Sequence, residues 1–322
     1  MIQKLCLYES TGVDPYRNLA IEESLLEQAE DCAVFYLWQN ANTVVIGKNQ
    51  NPWKECRTSL LNEEGGHLAR RLSGGGAVFH DLGNLNFTML LPQSDYDLNR
   101  QLAVIQRAVA GLGIPVERSG RNDLLAEGRK FSGNAFYNNG RQAYHHGTIL
   151  VRTDMEKMAR YLSPSKLKLQ AKGVDSVRSR VENLCHWKPD ITIAQVKEAL
   201  KAAFSQVYDM PLEPVQALDE KKISTLTERN RSWKWNYGRK IPCTCSAEKR
   251  FPWGSVEISL LVTGGFIQEA KVYTDSMQTQ WAASLEKALA GCVFEKQALN
   301  AAAMESVGQE LAEDIGGLLA DI

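Results

Sequence analysis

The chain has no run of apolar residues near the ~18 needed to span a bilayer, so a helical membrane protein is not expected. Its first residues, Met1-Ile2-Gln3-Lys4-Leu5-Cys6-Leu7-Tyr8-Glu9, lack the long apolar core and small-residue cleavage site of a secretion signal. They also lack the Arg/Ser-rich, acid-poor character of an organelle transit peptide. A cytoplasmic location, with no membrane partner, is the expectation. Neither sign of charge is in surplus: 37 Lys and Arg against 38 Asp and Glu give 37 − 38 = −1. A broad nucleic-acid surface is therefore not expected, although a local basic pocket is compatible with that balance. The seven cysteines include no CxxC pair, Cys243-Thr-Cys245 being the nearest spacing. An odd count without knuckles disfavours a zinc ribbon or disulfide scaffold and fits a reducing compartment.

Other absences narrow the chemistry. No GxGxxG opens a helix after a strand, no GxxxxGK[ST] occurs, and no GxSxG elbow offers a serine nucleophile. No cysteine lies between Cys56 and Cys185, so that stretch holds no thiol nucleophile. What the chain does have is 322 residues, 44% of them hydrophobic and 23% charged, which suits a folded protein of two domains or one large one.

Asp14-Pro15 and Asn51-Pro52 read as N-caps followed by proline at the first helical position. Strand-like runs follow at Ala33 to Trp38, Thr43 to Gly47, Asn86 to Leu91 and Ala143 to Val151. Leu98, Leu102, Ile105, Val109 and Leu112 keep a helical period that Gly111, Gly113 and Pro115 end, and residues 192 to 208 form another amphipathic helix. The polar stretch Ser163 to Val181, with Lys166, Lys168, Lys172, Arg178 and Arg180, reads as a long functional loop. The region 232 to 245 reads as irregular. After it come two strands, Val256 to Val262 and Phe266 to Tyr273, joined at Thr263-Gly264-Gly265, then two Ala- and Leu-rich helical stretches. The fold class is mixed α/β (α+β), divided as 1–243 and a small domain over 248–322.

The most informative segment is Arg70-Arg71-Leu72-Ser73-Gly74-Gly75-Gly76-Ala77-Val78-Phe79-His80-Asp81. Three glycines in succession are entropically costly and are kept where backbone must bend or approach a ligand. Their unobstructed N–H groups suit a carboxylate, a phosphate or an acyl phosphate, and the arginines before them bring fixed charge and a planar fork for oxyanions. The competing reading is a hairpin turn with a charged edge.

A second cluster, Gly120-Arg121-Asn122-Asp123 and Gly128-Arg129-Lys130-Phe131-Ser132-Gly133, sets Lys130 beside a Ser-Gly turn as an oxyanion clamp. Asp123 is either a turn-capping residue or a carboxylate for Mg²⁺ on a nucleotide. The adjacent His145 and His146 lie on a strand, so they face opposite sides and cannot easily share a metal.

These segments resemble the lipoate–protein ligase A family of the lipoyl/biotinyl protein ligase superfamily. The resemblance rests on the arginine–glycine segment together with Gly47, Asn51-Pro52-Trp53-Lys54-Glu55-Cys56 and Gly120-Arg121-Asn122-Asp123. It extends through Lys130-x-Ser132-Gly133, His145-His146-Gly147-Thr148, Ser176-Val177-Arg178-Ser179-Arg180-Val181, Trp233-x-Trp235 and Phe251-x-Trp253-Gly254. It implies a biotin-protein-ligase-like catalytic domain, a mixed sheet flanked by helices, with a small α/β accessory domain behind it. It also implies that lipoate and Mg-ATP give lipoyl-AMP. A lysine of an apo lipoyl domain, on an acyltransferase subunit of a 2-oxoacid dehydrogenase or on the glycine-cleavage H protein, would then take the lipoyl group.

Carried onto this sequence, the resemblance makes Lys130 catalytic. Arg71, Gly76, Ala77, Val78, Phe79, Lys130, Ser176 and Arg178 would bind ATP or the adenylate. Arg71, Ser73, Gly74, Gly75, His80, Asn84, Lys130, Ser132 and His146 would bind lipoate, and Asp123 the magnesium. Trp38, Val44 and Leu19 are candidates for the apolar tail slot. Two rivals stand beside this reading: an ATP-independent lipoyl or octanoyl transferase of the same fold, and a non-catalytic lipoate-binding protein. Transferases of this kind rely on a cysteine, which the thiol-free stretch from 57 to 184 disfavours.

Overall fold

The computed structural model describes residues 2–119, 123–163, 181–238 and 241–322. The expected long loop over 163–181 and the Gly120-Arg121-Asn122 run lie almost entirely outside the described residues, as do Ser176 and Arg178.

Among the described residues, eight strands make one mixed sheet in the order β11-β1-β2-β6-β10-β9-β8-β7. They are β1 (Lys4–Glu9), β2 (Cys32–Trp38), β6 (Asn84–Pro92), β7 (Glu117–Ser119), β8 (Asp123–Ala126), β9 (Arg129–Asn138), β10 (Gln142–Leu150) and β11 (Leu212–Pro214). β1 runs parallel to both β2 and β11, while β6, β10, β9, β8 and β7 continue antiparallel. β2, β6 and β10 are buried along their whole length; β2 is accordingly apolar throughout, while β6 and β10 bury polar residues such as Asn86, Thr88, His145 and His146.

Period-2 alternation sorts these side chains onto two faces. Ala33, Phe35 and Leu37 of β2 join Leu85, Phe87 and Met89 of β6 in a core closed by helices Leu98–Gly111 and Ile193–Tyr208. Val34, Tyr36 and Trp38 face the opposite core, under helices Pro15–Gln28 and Glu220–Arg231. The two caps read from sequence form: Asp14 and Asn51 each accept a backbone N–H at the start of a helix, and Asp97, outside that reading, does the same.

A small sheet, β4-β3-β5, sits beside the large one, built from β3 (Thr43–Ile46), β4 (His67–Arg70) and β5 (Val78–His80). The glycine run is the β4–β5 connection. A third, antiparallel sheet comprises β12 (Cys245–Phe251), β13 (Gly254–Thr263) and β14 (Phe266–Thr274), and has its own core with three helices.

Three readings from the sequence need correction. The chain ends in three helices rather than two, Gln280–Leu289, Lys296–Ser306 and Gln309–Ala320, because Val307-Gly308 interrupts the last apolar stretch. The region read as irregular holds a short helix, Trp233–Tyr237, capped by Ser232, and the first residue of β12. Ser132-Gly133 is not a turn but lies within β9, paired to β8.

Candidate active site

Strand ends and the glycine connection open onto one cleft of about 1060 Å³, whose wall carries Arg71, Gly75, Gly76, Ala77, Val78, His80, Asp123, Lys130 and His146. Residues from the β4–β5 connection, β5, β8, β9 and β10 thus meet in one place. Its apolar side is Leu19, Trp38 and Val45. Val44 does not line it: one residue out of phase with Val45, it points into a separate core with Ile46 and Phe79. The Phe79 ring lies in that core too, 5.5 Å from Tyr161, which leaves only its backbone to serve a ligand.

The arginines are spent largely on backbone. Arg70 donates to the carbonyls of Gly47, Lys48 and Gln50 and to those of Trp235 and Asn236. Its fork fixes the β3–helix connection against Trp233–Tyr237 rather than waiting for an oxyanion. Arg71 Nη2 donates to the carbonyls of Gly74 (2.6 Å) and Gly76 (2.8 Å), Nη1 to Val45 (3.2 Å), and Nε to Ser73 Oγ (2.9 Å). A guanidinium has five N–H donors, so one is left over. What Arg71 offers the cleft is chiefly charge. Burial pulls its pKa down to about 10, leaving it cationic at neutral pH.

Lys130 stands on β9 next to an irregularity in register: Leu124 pairs with Ser132 but Leu125 with Lys130, so Phe131 is an extra residue on this strand. Such bulges re-aim side chains; Phe131 is fully buried in the core while Lys130 reaches the cleft. Gly133 makes the room, since a Cβ there would stand 3.1 Å from Lys130 Cε and Nζ. Lys130 Nζ pairs with Asp123 Oδ1 at 2.6 Å. Asp123 is therefore neither a turn cap nor an isolated carboxylate, but the first residue of β8 and the lysine's counter-ion.

His145 and His146 do face opposite ways. His145 is packed between Phe87 and Phe136 with Nε2 2.8 Å from Asn134 Oδ1. His146 Nε2 lies 2.8 Å from Ser73 Oγ, and its Nδ1 2.8 Å from Glu22 Oε1. His80 Nδ1 is 3.2 Å from Asn40 Nδ2; with Asn40 donating, the ring's proton sits on Nε2. Asn84 donates to Asn86, and it is Asn86, not Asn84, that reaches the cleft. Ser132 is buried without reaching it. Sequence reasoning missed Glu22 and Asn86. It also missed Asp275 and Met277, which the segment after β14 brings to the cleft.

Burial drives His80 to a pKa of about 3, helped by Arg71 and then His146. Burial does the same to His145, His146 adding to it. Both rings are neutral in the folded chain at ordinary pH. An unfolded histidine titrates near pH 6.5, so below that value the unfolded state binds more protons and stability falls. The expected loss approaches about 1.4 kcal/mol per pH unit for each ring between about pH 6 and 4. A urea midpoint that stays level from pH 7 to pH 5 would contradict the burial of both rings as neutral groups.

Residues 14–205 match the family model for the lipoyl protein ligase A/B catalytic domain, and residues 241–315 the model for the bacterial lipoate protein ligase C-terminus. Among solved structures, P. falciparum LipL1 in complex with lipoate superposes with a TM-score of 0.86 at 24% identity, covering 99% of this chain and 100% of its own. At that identity the likeness concerns fold. A bi-partite lipoate protein ligase from Thermoplasma acidophilum, studied with its E2 lipoyl domain, gives 0.65 at 25% identity over 76% of this chain and 100% of that one. A lipoate-protein ligase A bound with ATP gives 0.63 at 26% identity over 74% of this chain and 99% of that one. The sheet, the glycine connection and these matches lead to one conclusion: the chain belongs to the lipoyl protein ligase A/B catalytic-domain family and carries a lipoate protein ligase C-terminal segment behind it.

Proposed function

We propose that this protein is an ATP-dependent lipoate–protein ligase. Lipoate's carboxylate attacks the α-phosphate of ATP, a new O–P bond forms, and pyrophosphate leaves. The amine of an acceptor lysine then attacks the acyl carbon of lipoyl-AMP, giving the lipoyl amide and AMP. The observation that carries this reading is that Lys130 and Arg71 share a cleft whose wall, among the described residues, includes no cysteine. Negative charge builds on phosphorus-bound oxygens in the first step and moves to the acyl oxygen in the second. Two fixed cations in a partly dehydrated site stabilise both states.

The thiols support the same choice. Cys56, the cysteine nearest the glycine run in sequence, is buried among Val44, Leu61 and Tyr161, and burial pushes its pKa up to about 12. Such a thiol is a poor nucleophile, which counts against the transferase alternative.

In this scheme the backbone from Gly76 to Phe79, with Arg71 and Lys130, holds the phosphate. Ser176 and Arg178, which lie outside the described residues, serve the adenylate. Leu19, Trp38 and Val45 take the dithiolane end, with Gly75, His80, Asn86 and His146 around the acyl chain and Ser73, Gly74, Asn84 and Ser132 behind that wall. Magnesium arrives with ATP. No cluster of three or more His, Cys, Asp or Glu suited to a metal exists among the described residues. A cation carried by a triphosphate needs only one or two carboxylates, and Asp123 is the one assigned. Residues 1–243 form the catalytic domain and 248–322 the accessory one. Acceptors are apo lipoyl domains, the H protein included, and the setting is the cytoplasm.

Incubation with lipoate, Mg-ATP and an apo lipoyl domain, read by mass spectrometry of the acceptor, is expected to show lipoylation that disappears when ATP is left out. Transfer from a lipoylated or octanoylated carrier at equal rate without ATP would make the protein a transferase instead.

A further inference from the structure

Glu22 is out of place on its helix. It belongs to Pro15–Gln28, an element whose carboxylates would ordinarily be solvated, yet it is 2% exposed. A buried carboxylate is costly unless it is hydrogen-bonded and a counter-charge is near. Both conditions hold. Oε1 accepts from Thr88 Oγ1 at 2.7 Å and pairs with His146 Nδ1 at 2.8 Å, and Trp38 Nε1 secures Thr88 at 3.1 Å. The counter-charge is the guanidinium of Arg71, which Glu22 acts on electrostatically.

The bonds between the two ions form a continuous, directed chain. In the neutral ring, with Glu22 accepting, His146 carries its proton on Nδ1, and Nε2 is then the acceptor that receives the Ser73 hydroxyl. That leaves the Ser73 oxygen's lone pairs for Arg71 Nε at 2.9 Å. Arg71 in turn grips the carbonyls of Gly74 and Gly76. Trp38 and His146 line the cleft on its apolar side, whereas Gly75 and Gly76 line it at the loop.

We propose that Glu22 is a positioning residue: through His146, Ser73 and Arg71 it sets the shape of the glycine loop that receives the nucleotide, and so ties the acyl slot to the phosphate site. The proposal rests on the ligase reading for its kinetic consequences but not for its structural one. Without the acceptor at position 22, His146 can take the other tautomer. Ser73 then keeps only the long contact to the Gly74 carbonyl (3.5 Å) as an acceptor, and Arg71 is free to release the loop carbonyls. A filled acyl slot packs against the same histidine and holds the chain in register.

Four proteins decide it: wild type, Glu22→Leu, which keeps size but removes the acceptor, Glu22→Gln, whose amide oxygen can still accept from His146, and Ser73→Ala. Lipoate-dependent pyrophosphate release gives KM for ATP, and hydrogen exchange over residues 71–79 reads the loop directly. Losing a hydrogen bond in a charged chain should raise KM for ATP about tenfold or more in Glu22→Leu and Ser73→Ala. Faster exchange in the loop should accompany it, while Glu22→Gln stays within about threefold of wild type. A merely structural glutamate would lower stability without moving KM for ATP, and the glutamine would give no selective rescue.

Wild-type KM and loop exchange in a Glu22→Leu protein of native melting profile would overturn the proposal. Should that variant not fold, wild-type values in Ser73→Ala would do the same. Absence of pyrophosphate release from wild type would instead sink the ligase reading, and the exchange comparison would still decide the relay.

Discussion

Lys130→Ala is expected to cut lipoyl-adenylate formation by about 10²- to 10³-fold, the usual cost of removing one preorganised charge from a developing oxyanion. The melting temperature should barely move. The Lys130–Asp123 pair is half-exposed, with side chains 32% and 38% accessible, and such pairs contribute about 1 kcal/mol or less. The lysine's backbone is held independently, by the Glu182 N–H to the Lys130 carbonyl at 2.9 Å. Truncating the side chain therefore removes a charge from the cleft and little else.

Lys130→Arg is a poor substitute, because a planar fork cannot lie over Gly133 as the thin lysine stem does. The check is pyrophosphate release from lipoate and ATP, followed by hydroxylamine trapping of the adenylate. Unchanged release from the alanine variant would mean that another cation carries the first step. Asp123→Asn keeps the ammonium but removes the carboxylate assigned to magnesium, so its loss in the same assay should shrink as Mg²⁺ is raised, whereas that of Lys130→Ala should not.

Much of this site was legible because its signals are local. Arg71, the glycines and His80 sit within a few residues of one another, and the turn they imply is the β4–β5 connection. Lys130 could be singled out by its neighbours. The alternation of His145 and His146 follows from strand geometry alone.

What the sequence withheld depends on long-range assembly. Glu22 reads as a solvated helix residue until the fold brings it to His146, 124 positions away. Val44 and Val45 are indistinguishable as residues, and only register decides which one lines the slot. Arg70 and Arg71 look equivalent as anion forks. Their different partners, the 47–50 connection and Trp235-Asn236 for one, the glycine loop for the other, appear only once β3 and β4 are paired. β12 escaped because it is a half-exposed edge strand with charges at Glu248, Lys249 and Arg250 and little apolar alternation.

The second large effect concerns Gly74, where the C-terminal part of the chain meets the loop. A Cβ at Gly74 would lie 2.1 Å from the Ser276 carbonyl oxygen and 2.9 Å from Met277 Cα. Both are backbone atoms just after β14, so no rotamer change can make room. That segment is pinned from the other side as well, by Thr274 N–H to the Asn49 carbonyl at 2.9 Å and Asn49 Nδ2 to the Thr279 carbonyl at 2.8 Å.

Gly74→Ala must therefore either deform the loop that Arg71 holds or lift the 275–277 segment away from it. Overpacking of this kind costs about 1–3 kcal/mol. In the proposed scheme the loop's N–H groups hold the phosphate, so ATP-dependent turnover is expected to fall by about tenfold or more along with the melting temperature. Gly76→Ala is the stability control: nothing lies within 4 Å of its added Cβ, and the melting temperature should stay near that of wild type. Equal melting temperatures for both alanine variants would show that the C-terminal segment does not rest on the glycine loop in solution.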